Sequence, residues 1–340
     1  MSALLIALAA ALVTLAIGSF ALPLGRSLGL LDFPDGDGGR KQHPRVTPLV
    51  GGLVLVGISL AAIAGTLLLP IDLGPSVERH VAWLGIAVTA MFAIGVADDR
   101  FELSVRARLG VAALVLLLVV VTAPDFALAF LRLGSEPGVR LLGLASLPLT
   151  LLCLVGLLNA VNMADGKNGI VIGLGLVWSA MLLRWLPAAM VPTMAAAAGS
   201  LAVLLWFNMR NKLFLGDGGS YAMSALFGLL AIYAYNHDFA GIGSDDIVLL
   251  FAVPVLDTVR LIVARMLQRR SPFDGARDHL HHYLYARVGW PAGLGIYLSL
   301  VALPNLMAEV LPGTTPFWIG VTIVAYAVVL RAAQRVNAPT

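Results

Sequence analysis

The chain has 340 residues, 59% hydrophobic and 12% charged, with a mean hydropathy of +0.92 and a formal net charge of +3. So much apolar surface excludes a soluble globular protein and predicts an all-α, polytopic integral membrane protein. The single cysteine, Cys153, lies in an apolar run and excludes an internal disulfide.

Residues 1–24 carry no Lys or Arg before an apolar run too long for a signal peptide, so they are read as a retained first span. Windows long enough to cross a bilayer follow near 49–70, 80–97, 108–123, 147–163, 169–186, 188–207, 219–236, 246–264, 291–311 and 315–331, which makes about eleven transmembrane helices. The loops alternate sharply in charge. One set and its span ends hold 18 of the 22 Lys/Arg residues; the other holds only Arg79, Arg132, Arg140 and Arg184. That asymmetry predicts an N-terminus outside and a C-terminus in the cytoplasm. The longest outer loop, 124–146, reads as a short surface hairpin. No loop is long enough for a soluble domain, so residues 1–340 form one transmembrane domain, with cytoplasmic loops at 25–48, 98–107, 164–168, 208–218 and 265–290.

The polar residues near span ends collect on that same basic face. A transporter would carry its site near the bilayer midplane on broken helices. Polar groups gathered at one interface suit an enzyme that takes a water-soluble substrate from the cytoplasm and a lipid substrate from the membrane.

In the first loop, Arg45 and its basic neighbours precede Thr47-Pro48 and Gly51-Gly52, and are either solvated positive-inside charge or phosphate binders. Asp98-Asp99 closes the third span. Adjacent carboxylates repel, so they suggest a general base or a shared cation, with Arg106 and Arg108 nearby as anion binders. The segment Asn159-Ala-Val-Asn162-Met-Ala-Asp165-Gly166-Lys167-Asn168-Gly169 closes the fifth span. Its i, i+3 spacing puts amides and a carboxylate on one helical face, suited to oxygen coordination or to hydrogen bonding a nucleotide base; interhelical bonding is the alternative.

Residues 208–220 organise the rest. Asp217 sits among Gly216, Gly218 and Gly219 at the mouth of an apolar run, with Arg210 and Lys212 close in sequence. A carboxylate there is costly to desolvate without a cation, and glycines admit close backbone approach, so the loop suggests a metal ion and a phosphorylated substrate; a helix-capping Asp is the plainer reading. Asp257 and Arg260 stand at i, i+3 inside the ninth span and can pair with each other, while Pro254 is expected to kink that helix. The last cluster is Arg277-Asp278-His279-Leu280-His281-His282, where hydrogen bonding to a diphosphate fits the surrounding arginines better than zinc.

Together Asp98-Asp99, Asn159-x-x-Asn162-x-x-Asp165-Gly166-x-x-Gly169, Phe214-Leu-Gly-Asp217-x-Gly-Ser220 and Ser271-Pro-Phe…Arg277-Asp-His-Leu-His-His282 resemble the polyprenyl-phosphate N-acetylhexosamine-1-phosphate transferases, over residues 30–290. The His-x-His-His form looks like the WecA/TagO branch, related to MraY, whose members carry three consecutive histidines. Lys167 stands where the family has an apolar residue, and Asn168 where bacterial members often carry Asp. The resemblance implies transfer of GlcNAc-1-phosphate from UDP-GlcNAc to undecaprenyl phosphate, releasing UMP, as the first membrane step of cell-surface polysaccharide synthesis. Another UDP-HexNAc or UDP-MurNAc-pentapeptide is the alternative donor. It also implies Mg²⁺, with Mn²⁺ as a substitute, on Asp217 and Asn162; catalytic roles for Asp98, Asp99 and Asp217; and nucleotide binding by Phe214, Asn168, Asp165 and Gly166. Phosphates would fall to Arg108, Arg277, His279, His281, His282 and Arg45. The expected setting is the plasma (inner) membrane with a cytoplasmic active site and no nucleic-acid partner; a homodimer is compatible with it.

Overall fold

A computed structural model describes residues 2–34, 45–69, 73–136, 138–238, 241–271 and 278–334. Among the described residues the regular structure is helical apart from four two-residue strands. Its helices are α1 (Ala3–Ser19), α2 (Ala21–Leu28), α3 (Gly51–Leu68), α4 (Pro75–Phe101), α5 (Val105–Thr122), α6 (Ser146–Ala164), α7 (Ile170–Trp185), α8 (Val191–Asn208), α9 (Gly216–His237), α10 (Ser244–Leu267), α11 (Leu280–Val288), α12 (Ala292–Val310) and α13 (Thr315–Gln334). Every apolar window read from the sequence coincides with a helix. Among the described residues, eight helices are long and apolar enough to cross a membrane, or nine if bent α1–α2 is one span. The fold is thus that of an all-α, multi-pass membrane protein.

Two elements depart from the windows. The first window breaks between α1 and α2, which meet at 66°. Pro23 gives the reason: its ring would clash with the carbonyl four residues back, at Ser19, where α1 ends. The short helix α11 lies in the loop that the sequence showed only as basic and histidine-rich. Around Pro254, α10 runs unbroken from Ser244 to Leu267.

Helix α9 is the axis of the molecule, with every residue from Gly218 to Tyr235 buried. Its first turns are rich in small residues, and neighbouring backbones use the space. A Cβ on Gly52 of α3 would lie 2.5 Å from the Gly219 Cα. On Gly95 of α4 it would overlap the Asp217 carbonyl. Such close approach is how membrane helices gain packing without a hydrophobic driving force between them. It also seats the end of α4 against the start of α9, which builds the site.

Two small ribbons finish the loops. Strands β1 (Leu31–Asp32) and β2 (Thr47–Pro48) pair antiparallel, Leu31 opposite Pro48 and Asp32 opposite Thr47. Strands β3 (Phe130–Leu131) and β4 (Arg140–Leu141) form the hairpin expected in the 124–146 loop.

Candidate active site

The ends of α4, α6 and α8, the start of α9 and the start of α11 converge at one end of the bundle. Asp98 and Asp99, adjacent on the last turn of α4, have separate tasks. Asp98 is buried and accepts a 2.6 Å ion-paired hydrogen bond from Arg108 Nη1 of α5, with the Tyr221 hydroxyl at 3.3 Å. Asp99 turns to the first turn of α9, where its oxygens accept the backbone N–H groups of Asp217 at 3.1 Å and Gly218 at 3.2 Å. A carboxylate from another helix thus caps α9, satisfying free donors and complementing the positive end of the helix dipole.

From α6, Asn162 Nδ2 donates to Asp217 Oδ1 at 2.7 Å. One turn further along α9, Ser220 Oγ donates to Asp165 Oδ2 at 2.7 Å. The two bonds lock the Asn162–Asp165 segment onto the α9 N-terminus. Asn159 lies outside this contact; its amide bonds Met163 Sδ within α6. Asp165 keeps solvent-accessible surface but is enclosed by the surrounding helix ends. That enclosure pushes its carboxyl up to about 7, the Ser220 bond opposing and the nearby Asp217 charge adding.

Gly216, at φ 73°, turns the chain into α9. The approach to it is clamped on both sides. Phe214 N–H donates to Pro48 O at 2.9 Å, and the Phe214 and Leu215 carbonyls accept the N–H groups of Gly51 and Gly52 at 2.9 and 3.0 Å. Asn168 supports the preceding turn, its Nδ2 donating to Asn208 O at 2.9 Å and Asn211 Oδ1 at 2.7 Å. Asn208 Oδ1 in turn accepts Gly169 N–H at 2.7 Å, and Trp290 Nε1 donates to Asn168 O at 3.0 Å. Arg45 braces the same turn from outside, bonding Arg210 O at 2.7 Å and Asn211 O at 3.2 Å.

The histidines close the other side. His279 precedes α11 with Nδ1 2.8 Å from Asp257 Oδ2. His281 is fully buried, its ring parallel to that of His279 (5.4 Å, 9°) and 4.2 Å from that of His282. Neither His281 ring nitrogen has a hydrogen-bond partner among the described residues, and Nε2 faces Gly166. Burial, with His282 and His279 beside it, holds the His281 ring well below its ordinary pKa and therefore neutral. Lys167 lies over the Tyr285 ring at 3.9 Å. Arg277 falls outside the described residues.

The donors that meet here are carboxylate and amide oxygens, the set preferred by Mg²⁺ and Mn²⁺. Asp217 and Asp165 are held by neutral partners, Asn162 and Ser220, which leaves their charge for a cation. Among the described residues no three His, Cys, Asp or Glu side chains form a ready metal cage.

The structure brings Asp98, Asp99, Asn162, Asp165 and Asp217 together and sets His281 against Gly166, while Asn168 and Phe214 lie in the adjoining turn and loop; the partners of these residues have no signal in the sequence. Tyr221 was missed although it stands one helical turn after Asp217. Ser220 lies inside the Phe214–Ser220 motif, but its bond to Asp165 has no local signal. Trp290 had no local signal.

The family model described as Glycosyl transferase family 4 matches residues 81–235. The undecaprenyl-phosphate alpha-N-acetylglucosaminyl 1-phosphate transferase of Salmonella typhi is 30% identical over 294 residues, covering 81% of this chain and 74% of that protein. The decaprenyl-phosphate N-acetylglucosaminephosphotransferase of Mycolicibacterium smegmatis is 28% identical over 357 residues, covering 96% and 87%. A Bacillus subtilis protein, named as a probable undecaprenyl-phosphate N-acetylglucosaminyl 1-phosphate transferase, is 25% identical over 268 residues, covering 76% and 70%. The fold is that of a polytopic membrane protein with its polar side chains gathered at one end of a helical bundle. The chain belongs to glycosyl transferase family 4 and is a transferase.

Proposed function

We propose that this protein transfers N-acetylglucosamine 1-phosphate from UDP-GlcNAc to a polyprenyl phosphate, releasing UMP. The observation that carries this reading is the convergence of Asp98, Asp99, Asn162 and Asp165 on the N-terminus of α9 around Asp217. The names of the three relatives support the acceptor class and the transferred group.

An oxygen of the lipid phosphate forms a bond to the β-phosphorus of the nucleotide sugar. The bond from that phosphorus to the bridging oxygen breaks, and its electron pair leaves with UMP. No carbon–oxygen bond of the sugar changes, so catalysis is positioning plus charge neutralisation. Asp217 and Asn162 would hold Mg²⁺ or Mn²⁺, which when bound neutralises diphosphate charge. Asp99 fixes Asp217 by capping its helix, and Asp98, held by Arg108 and Tyr221, orients the acceptor phosphate. Arg108, His279 and His282 would take the donor phosphates, whereas fully buried His281 packs on Gly166 and the bonds of Arg45 support a bracing role. Phe214 offers a stacking face for uracil. Both Asn168 amide hydrogens are engaged, so its Oδ1 is the edge that accepts the uracil N3–H.

The same reading puts eleven spans in the plasma membrane, N-terminus outside, with this end of the bundle at the cytoplasm, in keeping with the basic loops. The test is UMP release by purified protein given Mg²⁺, a polyprenyl phosphate and a panel of UDP-sugars, with mass spectrometry of the lipid product. A GlcNAc-diphosphate lipid is expected. No UMP from any donor would overturn the reading, and a different lipid-linked sugar would move the donor assignment to another UDP-HexNAc or to UDP-MurNAc-pentapeptide.

A further inference from the structure

Asp257 lies on α10, away from the carboxylate cluster, and the transfer step as described makes no use of it. It is 3% exposed, yet donors from three helical segments meet on it. Its Oδ1 accepts Arg260 Nη2 at 2.9 Å and the Tyr326 hydroxyl of α13 at 2.6 Å. Its Oδ2 takes His279 Nδ1 at 2.8 Å, and the Leu280 N–H reaches both oxygens at 3.3 Å. Arg260 Nε closes the ring by donating to the Tyr326 hydroxyl at 2.9 Å. The preceding residue is tied separately, with Arg265 Nη2 2.9 Å from Asp278 Oδ1.

A buried ion pair is a poor source of stability, because desolvating the two charges offsets most of their attraction and an apolar replacement is often as stable. What the arrangement does supply is geometry. With Nδ1–H committed to Asp257, the His279 ring has a fixed orientation and presents Nε2 away from α10. The His281 ring stacks parallel to it, and His281 Nε2 abuts Gly166, next to Asp165. A rigid path therefore runs from α10 and α13 through two imidazoles to the Asp165–Gly166 turn.

We infer that Asp257, with Tyr326 behind it, is a positioning residue that sets the tautomer and orientation of His279, and through it the seat of His281 at Asp165–Gly166. This inference rests on the transferase reading for its kinetic test but has a second test that does not need turnover. The kinetic test is a double-mutant cycle in kcat and KM with Asp257→Asn, Tyr326→Phe and His279→Gln. Asp257→Asn is expected to lower kcat at least ten-fold and Tyr326→Phe about three-fold, with donor KM changed less than three-fold. In the His279→Gln background both should cost less than two-fold more. Full multiplication of the losses would overturn the inference, as would a kcat unaffected by Asp257→Asn. If Asp257→Asn does not fold, Tyr326→Phe, which leaves the charge in place, carries the cycle alone under the same criteria. The turnover-independent test is ¹⁵N-histidine NMR of the protein in lipid discs. The His279 Nδ1–H resonance is expected in the wild type and lost or shifted in Asp257→Asn; an unchanged signal, or Nε2–H in the wild type, would refute the tautomer assignment even if no donor is turned over. Absence of UMP release with the expected resonance would sink the transferase reading and leave the Asp257–His279 contact standing.

Discussion

Gly166→Ala tests whether the histidine side of the site is as rigid as its contacts imply. Gly166 is outside the set of positive-φ glycines, so alanine meets no backbone penalty and the experiment isolates a steric contact. The added methyl would press into His281 Nε2, far inside the 3.4 Å at which ordinary van der Waals contact begins. Something must therefore move by roughly 1 Å. The His281 ring is fully buried and stacked on His279, itself tied to Asp257, so the Asp165–Gly166 turn is the part that yields. That displacement strains the 2.7 Å bond between Asp165 and Ser220. Overpacking of this kind costs ~1–3 kcal/mol of stability. A 1 Å misplacement of a positioning group costs on the order of 10²-fold in turnover. The assay is kcat for UMP release together with Tm of the purified protein. Adding His281→Ala should restore Tm by making room for the methyl, while activity stays low because the imidazole is gone. Wild-type kcat and Tm in Gly166→Ala would refute the rigid-stack argument.

Asp217→Asn removes charge without changing volume and should abolish turnover at ordinary Mg²⁺ while Tm moves little; near-wild-type activity would refute Asp217 as a metal ligand. Phe214→Ala is expected to raise KM for the UDP-sugar ten-fold or more, from losing ~1–3 kcal/mol of base stacking. A fall in Tm with unchanged KM would instead make Phe214 a packing residue. Asp165 supplies a pH test. Its folded pKa, raised to about 7 against an ordinary 3.8, means the folded state holds the proton more tightly. The resulting stabilisation is complete below about 4 and disappears as pH rises through about 7. Tm in chelator-containing buffer should therefore decline across that window, and Asp165→Asn should flatten the decline; an unaltered slope would refute the assignment.

The helices were legible in the sequence because a span needs about twenty consecutive apolar residues, and that demand is local. Each apolar window became a helix, down to the short break near Leu186, where α7 ends. The break at Ser19 escaped the sequence reading, because the apolar run continues past Pro23 and reads as one span. The candidate site residues are equally local in the sequence: a motif keeps its chemistry-bearing residues within a few positions, as in Asn162 to Asp165 and Phe214 to Ser220.

What each residue bonds to was settled only by tertiary structure. Asp98 and Asp99 read as one repelling pair, yet successive positions on a helix point about 100° apart. One carboxylate therefore met Arg108 and Tyr221, and the other the N-terminus of α9. Asp257 could pair locally with Arg260, and does, but its bonds to Tyr326 and His279 come from residues 69 and 22 positions away. Such contacts join segments whose separation along the chain carries no trace of their proximity. They exist because α4, α6, α10 and α13 pack in one particular order around the buried axis of α9 and its neighbours, and only that packing brings their polar ends to the same place.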